Sequence, residues 1–185
     1  MGNRPKILIT GAPGVGKTSL LLQVLERIPE IKAAGFVTVE QRGKKGRQGF
    51  ILKTLDGGET QFASVGKGRG ARVGKYLVDV ETFEEVALQA IGFQSGIDLY
   101  IIDEIGPMEV LSKMFCETAK MLLKNERVAV LATVAKSGSG FIREVKRLPG
   151  VDTIELSREG AAKVEEDLVI LLKTAFAPSN TETAP

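Results

Sequence analysis

Eight residues near the start of the sequence, Gly11-Ala12-Pro13-Gly14-Val15-Gly16-Lys17-Thr18, read G-x-x-x-x-G-K-[ST]. No other segment limits the fold as much. The pattern works only between a buried strand and the first turn of a helix, where the glycines let successive backbone N–H groups point inward at a phosphate. The flanks supply that context. Lys6 to Thr10 is a short β-branched apolar run, and Leu21, Leu22, Val24, Leu25 and Ile28 fall at helical spacing after Lys17, with Pro29 marking the end. The loop is therefore a phosphate cradle. Gly11, Ala12, Pro13, Gly14, Val15, Gly16, Lys17 and Thr18 are the expected nucleotide-binding residues, with the Lys17 charge on the β- and γ-phosphate oxygens and the Thr18 hydroxyl on magnesium.

The zeros in the composition narrow the chemistry further. There is no histidine, so Ser-His-Asp triads, histidine bases and histidine-held metals are excluded. One cysteine, Cys116, leaves no intrachain disulfide and makes a reducing cytoplasm the expected compartment. With 25 basic and 23 acidic residues the net charge is +2, which gives no argument for a nucleic-acid or membrane partner, although nucleic acid is not excluded. No apolar run approaches the ~18–20 residues of a membrane span, and residues 1–4 carry no secretion signal. At 185 residues, 43% hydrophobic, the chain reads as one α/β domain over 1–177 with a polar tail, 178–185, expected to be disordered. A monomer is expected.

Acid–base work must then fall to carboxylates. Leu99-Tyr100-Ile101-Ile102-Asp103-Glu104 reads as a buried strand ending in acid, and ligands of open α/β sheets bind at that strand edge. Asp103 is the expected metal acid and Glu104 the expected catalytic group that orients the attacking water, with Lys17 as the second catalytic residue. Asp103-Glu104-Ile105-Gly106 also satisfies the Asp-x-x-Gly pattern of signalling GTPases. The Asn/Thr-Lys-x-Asp tetrapeptide that reads guanine occurs nowhere, so base selection should be weak.

Elsewhere, Ala34 to Glu40, Phe50 to Leu55 and Thr60 to Val65 read as strands of an antiparallel insertion, with turns at Gly43-Lys44-Lys45-Gly46 and Asp56-Gly57-Gly58. A strand over Lys75 to Val80 and a helix opened by a Thr82/Glu85 capping box follow. The remainder reads as a helix over Glu109 to Lys124, a strand over Val128 to Thr133, a short helix near Ile142 to Arg147, a strand near Thr153 to Leu156 and a helix from Arg158 to Phe176. The alternation gives a parallel core sheet. Glu109 is open between a role beside the metal or Lys17 and that of a helix-start glutamate. Arg69 and Arg72 are open between a clamp on the γ-phosphate and plain loop charges, and Thr133 between a γ-phosphate contact and a strand end. Cys116, Met121, Tyr100 and Phe50 are read as core.

Five stretches taken together resemble the THEP1 family of nucleoside-triphosphatases: Gly11 to Thr18, Gly35 to Glu40, Arg47 to Phe50, Arg72 to Tyr76 and Ile102 to Glu109. The resemblance implies a P-loop NTPase of RecA-like type, a three-layer sandwich with a mostly parallel central sheet, an added central strand and an antiparallel hairpin insertion. It also implies magnesium-dependent hydrolysis of ATP, GTP, CTP, UTP and TTP. Where relatives often carry Asn-Arg before the last helix, this chain has Arg158-Glu159-Gly160, which puts a nucleotide contact from that turn in doubt. Two other readings stay open. One is a P-loop kinase with an acceptor, for which the run Gly66 to Arg72 would be the lid. The other is a nucleotide-gated module for RNA or protein, using the basic tip at Arg42 to Arg47.

Overall fold

The computed structural model describes residues 4–43, 46–66 and 70–177. Lys44, Lys45, Lys67, Arg69 and the tail 178–185 lie outside them, and with them part of the basic tip and one of the two arginines singled out above.

Among the described residues nine strands form one sheet: β1 (Lys6–Gly11), β2 (Ala33–Gly43), β3 (Gly46–Thr54), β4 (Glu59–Val65), β5 (Ala71–Val73), β6 (Tyr76–Val78), β7 (Leu99–Ile105), β8 (Ala129–Val134) and β9 (Asp152–Leu156). Their order is β5-β6-β4-β3-β2-β7-β8-β1-β9. From β2 to β9 the pairings are parallel, with β8 between the strand of the glycine-rich loop and the strand that ends in acid. From β2 outward through β3, β4, β6 and β5 they are antiparallel. The insertion is thus a four-strand continuation of the same sheet, larger than a hairpin.

Strand alternation divides the apolar residues between two faces. Leu8, Tyr100, Ile102, Val130 and Ala132 face α2 (Val80–Ile91), α3 (Lys113–Lys124) and α4 (Phe141–Val145). Ile7, Ile9, Leu99, Ile101 and Leu131 face α1 (Lys17–Glu26) and α5 (Ala161–Phe176). On the first face Phe62 of β4, Phe36 of β2, Phe83 of α2 and Phe115 of α3 interlock, with ring centroids 5.2 to 6.2 Å apart. That cluster joins the antiparallel half to the parallel half in one core, each ring contributing a large apolar area.

Local chemistry moved several boundaries. Asp79 caps α2, its carboxylate accepting from the Thr82 N–H at 3.0 Å, so the helix begins before the Thr82/Glu85 pair. The helix read over 109–124 is two pieces, a 3-10 turn at Glu109–Leu111 and then α3, capped by Ser112 through the Phe115 N–H at 2.9 Å. The Lys75–Val80 strand is the three-residue β6, paired with a β5 that its glycine-flanked sequence did not announce. Met121 is 65% exposed rather than core, because α3 turns Phe115, Ala119, Leu122 and Leu123 to the sheet. Cys116 is half-buried beside the core.

Candidate active site

The loop after β1 is shaped by residues that tolerate unusual backbone angles. Gly14 and Gly16 have φ of +74° and +108°, a region that costs L side chains steric energy. Val15 N–H closes the turn onto the Ala12 carbonyl at 3.2 Å, while Gly11 is buried under Leu156. Gly16 is also the N-cap of α1, and no side chain caps that helix. Its first N–H groups therefore remain free donors at the positive end of the helix dipole, facing the cleft.

Across from this loop, β7 delivers Asp103. Its side chain is 2% exposed and accepts three hydrogen bonds: from Thr18 Oγ1 at 2.7 Å, from Thr133 Oγ1 at 2.5 Å and from the Thr38 N–H at 3.3 Å. Thr38 Oγ1 also donates to the Asp103 carbonyl. One carboxylate thereby ties together α1, β8 and β2. Burial pushes the Asp103 carboxyl above the ordinary carboxylate range, and the Thr133 and Thr18 hydroxyls, the Thr38 N–H and the Lys17 charge oppose that push.

Glu104 is the next residue, and strand alternation alone would turn it to the opposite face. The ladder to β8 breaks between Ile102 and Ile105, so the chain is re-aimed there and Glu104 joins Asp103 on the cleft wall. Burial raises its carboxyl, Lys17 and Lys146 lower it, and Asp103 raises it. Lys146 Nζ donates to the carbonyls of Ala135 at 2.7 Å and Lys136 at 3.0 Å, fixing the turn after β8 beside this group.

Glu109 settles its own ambiguity in part: it is 5% exposed, not an exposed helix-start charge. A side chain at Gly106 would meet its Oε2 at 2.9 Å, so Gly106 leaves the space in which Glu104 and Glu109 stand side by side. Burial, with the Glu104 and Asp103 charges added, pushes the Glu109 carboxyl up to about 8.

The cleft between these walls has a volume of about 620 Å³. Pro13, Gly14, Gly16, Lys17, Thr18, Asp103, Glu104 and Glu109 line it, as do residues of the antiparallel arm. Among the described residues, Lys17, Arg42 and Arg47 line it opposite Glu40, Asp103 and Glu104, with the raised Glu109 carboxyl beside them. The donor set fits a magnesium ion. Thr18 and Asp103, a hydroxyl and a deep carboxylate brought together by their hydrogen bond at 2.7 Å, are the hard oxygen donors that would hold it. Magnesium takes its remaining oxygens from phosphates and water.

The structure also sorts the secondary candidates. Thr133 is buried at the centre of the site through Asp103. Arg72 lies on β5 at the far edge of the sheet, outside the residues lining the cleft. The arginines on the cleft wall are Arg42 and Arg47 instead. Tyr100 is fully buried, its hydroxyl accepting from the Gln94 N–H at 2.9 Å, whereas Phe50 reaches the cleft while stacking edge-on against Tyr76. Thr38 escaped the sequence reading. Its only signal was a polar residue in the middle of an apolar strand. No helix of the described residues is long and apolar enough to cross a membrane.

Residues 6–169 match the model of a family described as NTPase. The chain is similar to the nucleoside-triphosphatase THEP1 of Thermotoga maritima, 39% identical over 170 residues, 91% of this chain and 95% of that one. It is similar to its namesake in Aquifex aeolicus at 37% identity, over 91% and 99% of the two chains. Among solved structures, the crystal structure of THEP1 from the hyperthermophile Aquifex aeolicus superposes with a TM-score of 0.82 at 36% identity, covering 91% of this chain and 99% of that chain. The solution structure of a human cancer-related nucleoside triphosphatase gives 0.77 at 29% identity, over 92% and 98%.

Proposed function

The chain belongs to the THEP1 nucleoside-triphosphatase family, and from that premise we propose that it hydrolyses nucleoside triphosphates to the diphosphate and phosphate with magnesium. The observation that carries the reading is the hydrogen-bonded junction of Thr18 with Asp103, which brings the phosphate-binding loop and the acidic strand end to one point, with Glu104 and Lys17 lining the same cleft.

In this reading the loop from Gly11 to Thr18 wraps the β- and γ-phosphates with backbone N–H groups, and Lys17 neutralises their oxygens. Thr18 and Asp103 hold magnesium, and Thr133 and Thr38 keep Asp103 oriented. Bound magnesium supplies positive charge that polarises the phosphoryl group. Glu104 orients a water for in-line attack and takes its proton as the bond to phosphorus forms. Its upward-shifted carboxyl suits that task, because a base closer to neutrality both ionises and accepts. The chain's lack of a guanine-reading tetrapeptide supports weak base specificity across ATP, GTP, CTP, UTP and TTP. Every residue given a role here belongs to one chain, which suits a monomer, and a single unpaired cysteine suits a reducing cytoplasm.

A phosphate-release panel over the five triphosphates, without any added acceptor, tests this. Rates within roughly tenfold of one another are expected, a spread of ~1.4 kcal/mol. Release that requires an acceptor would make the protein a kinase, and strict use of GTP would overturn the base-tolerant reading. In the same assay Glu104→Gln is expected to keep triphosphate affinity within a few-fold while cutting kcat by at least ~100-fold. An unchanged kcat would remove Glu104 from the reaction.

A further inference from the structure

The antiparallel arm adds something that the loop and the acidic strand do not. β2 runs past Asp103, to which Thr38 is bonded, so Glu40 and Arg42 stand above the carboxyl ends of the parallel strands, and Arg42 pairs with Arg47 of β3. Both pair with Glu40: Arg47 Nη2 lies 2.7 Å from its Oε1 in an ion pair, and Arg42 Nη2 donates to its Oε2 at 3.1 Å. All three line the cleft with Lys17 and Thr18. These pairs are partly exposed, and pairs of that kind contribute little to stability. Holding the arm together does not require them. The core contacts of Phe50 and Leu52 already do that.

Of the two arginines, Arg47 is the better seated. Its side chain is 44% exposed against 75% for Arg42. Its carbonyl accepts from Lys75 Nζ at 3.3 Å, and Phe50, three residues on, stacks on Tyr76 with centroids 5.0 Å apart. The strand that presents Arg47 is thus braced by β6 and the turn before it. The guanidinium lies in the cleft with a carboxylate as its present partner. A phosphoryl group offers more negative charge and the same two-oxygen geometry.

We propose that Arg47 is a catalytic residue: with triphosphate bound, its guanidinium leaves Glu40 and binds the γ-phosphate oxygens from the side of the arm. The assignment rests on the hydrolase reading of the same cleft. In the reaction, the water oxygen bonds to the γ-phosphorus and its proton passes to Glu104. The bond from that phosphorus to the β–γ bridging oxygen breaks, and the bridging oxygen leaves with the electron pair on the diphosphate. Charge accumulates on the γ- and bridging oxygens in the transition state, and a fixed guanidinium there lowers the barrier without tightening ground-state binding. Glu40 holds the guanidinium away from Asp103 and Glu104 until the substrate displaces it.

The test compares wild type, Arg47→Ala, Arg47→Lys and Glu40→Gln in steady-state phosphate release from ATP. It adds calorimetric ADP binding and trapping of ADP by magnesium and aluminium fluoride, a mimic of the transferred phosphoryl group. Arg47→Ala is expected to lose at least ~100-fold in kcat with KM within about threefold, to bind ADP as wild type does, and to fail to form the slowly dissociating fluoride complex. Arg47→Lys is expected to recover less than a tenth of the loss, since a point charge does not reproduce the two-oxygen contact. Glu40→Gln is expected to lower KM several-fold, and an unchanged KM would overturn the displacement of Glu40 by substrate. Normal kcat or normal trapping in Arg47→Ala overturns the assignment, and so does loss of ADP binding in both Arg47 variants. If the wild type itself releases no phosphate, the hydrolase reading fails first. Wild-type release beside an unaltered Arg47→Ala removes Arg47 alone.

Discussion

Glu109 has its carboxyl raised to about 8, with burial the leading cause. In the unfolded chain that group ionises near 4.5. Between those values the folded protein keeps a proton that the unfolded chain has released, so the folded state binds more protons and its stability falls as pH rises. Below pH 4.5 both states are protonated and the cost is absent. Above about 8 both are ionised and the cost is constant. Glu109→Gln keeps the shape and cannot ionise. It is expected to be the more stable protein at pH 8 by an amount on the order of a few kcal/mol, with no difference at pH 4. Urea midpoints for both proteins at pH 4, 6 and 8 check this, and parallel curves would show that Glu109 ionises freely. At this scale the sequence disclosed what adjacency discloses. Lys17 and Thr18 are neighbours in one motif and Asp103 and Glu104 in another, so their meeting at one cleft was readable. Thr38, Arg42 and Arg47 reach the site only through the register of β2 against β7 and β3, which no local pattern specifies.

Among the elements, β2 is the hinge between the two halves of the sheet, and Gly35 is the residue that lets it close. A Cβ there would lie 2.0 Å from the Ile101 carbonyl oxygen, and its φ is +127°. Gly35→Ala must push β2 away from β7, breaking the pairs Gly35–Ile101 and Phe36–Ile102 and withdrawing the Thr38 N–H from Asp103. The expected loss is at least ~2 kcal/mol, since strained backbone and broken pairing add. A guanidinium denaturation midpoint equal to that of wild type would contradict it. Elements with a strong period were legible in the sequence: β1, α1, β7 and β8 fall close to where their apolar spacing puts them. Short elements were not. β5 and β6 have three residues each and exist because β4 offers an edge to pair with. Asp79 outcompeted Thr82 as a cap because both satisfy the local rule, and only packing of Phe83, Ala87 and Ile91 decides which turn comes first.

For the molecule as a whole, a ligand that binds only the folded state stabilises it by mass action. Magnesium–ATP at about 100 times its dissociation constant is expected to add ~2.7 kcal/mol, a shift of several degrees in the unfolding temperature. Lys17→Ala should remove that shift while leaving the unliganded melting curve near wild type, because Lys17 is outside both core clusters. Scanning calorimetry with and without nucleotide reads both. Equal shifts in the two proteins would take the nucleotide out of the loop. The sheet order carries one more consequence. The strand that leads into the phosphate loop has both of its neighbours, β8 and β9, in the C-terminal half, and Lys6 reaches a carbonyl 122 residues away. A ribosome delivers β1 and α1 first, with nothing on either side to pair with. At roughly 5–20 residues per second they wait on the order of ten seconds for β8 and β9. During synthesis the antiparallel arm has all its own partners early, while the nucleotide cradle is assembled last. A chain still being made therefore has an unseated phosphate loop until β8 and β9 have left the tunnel.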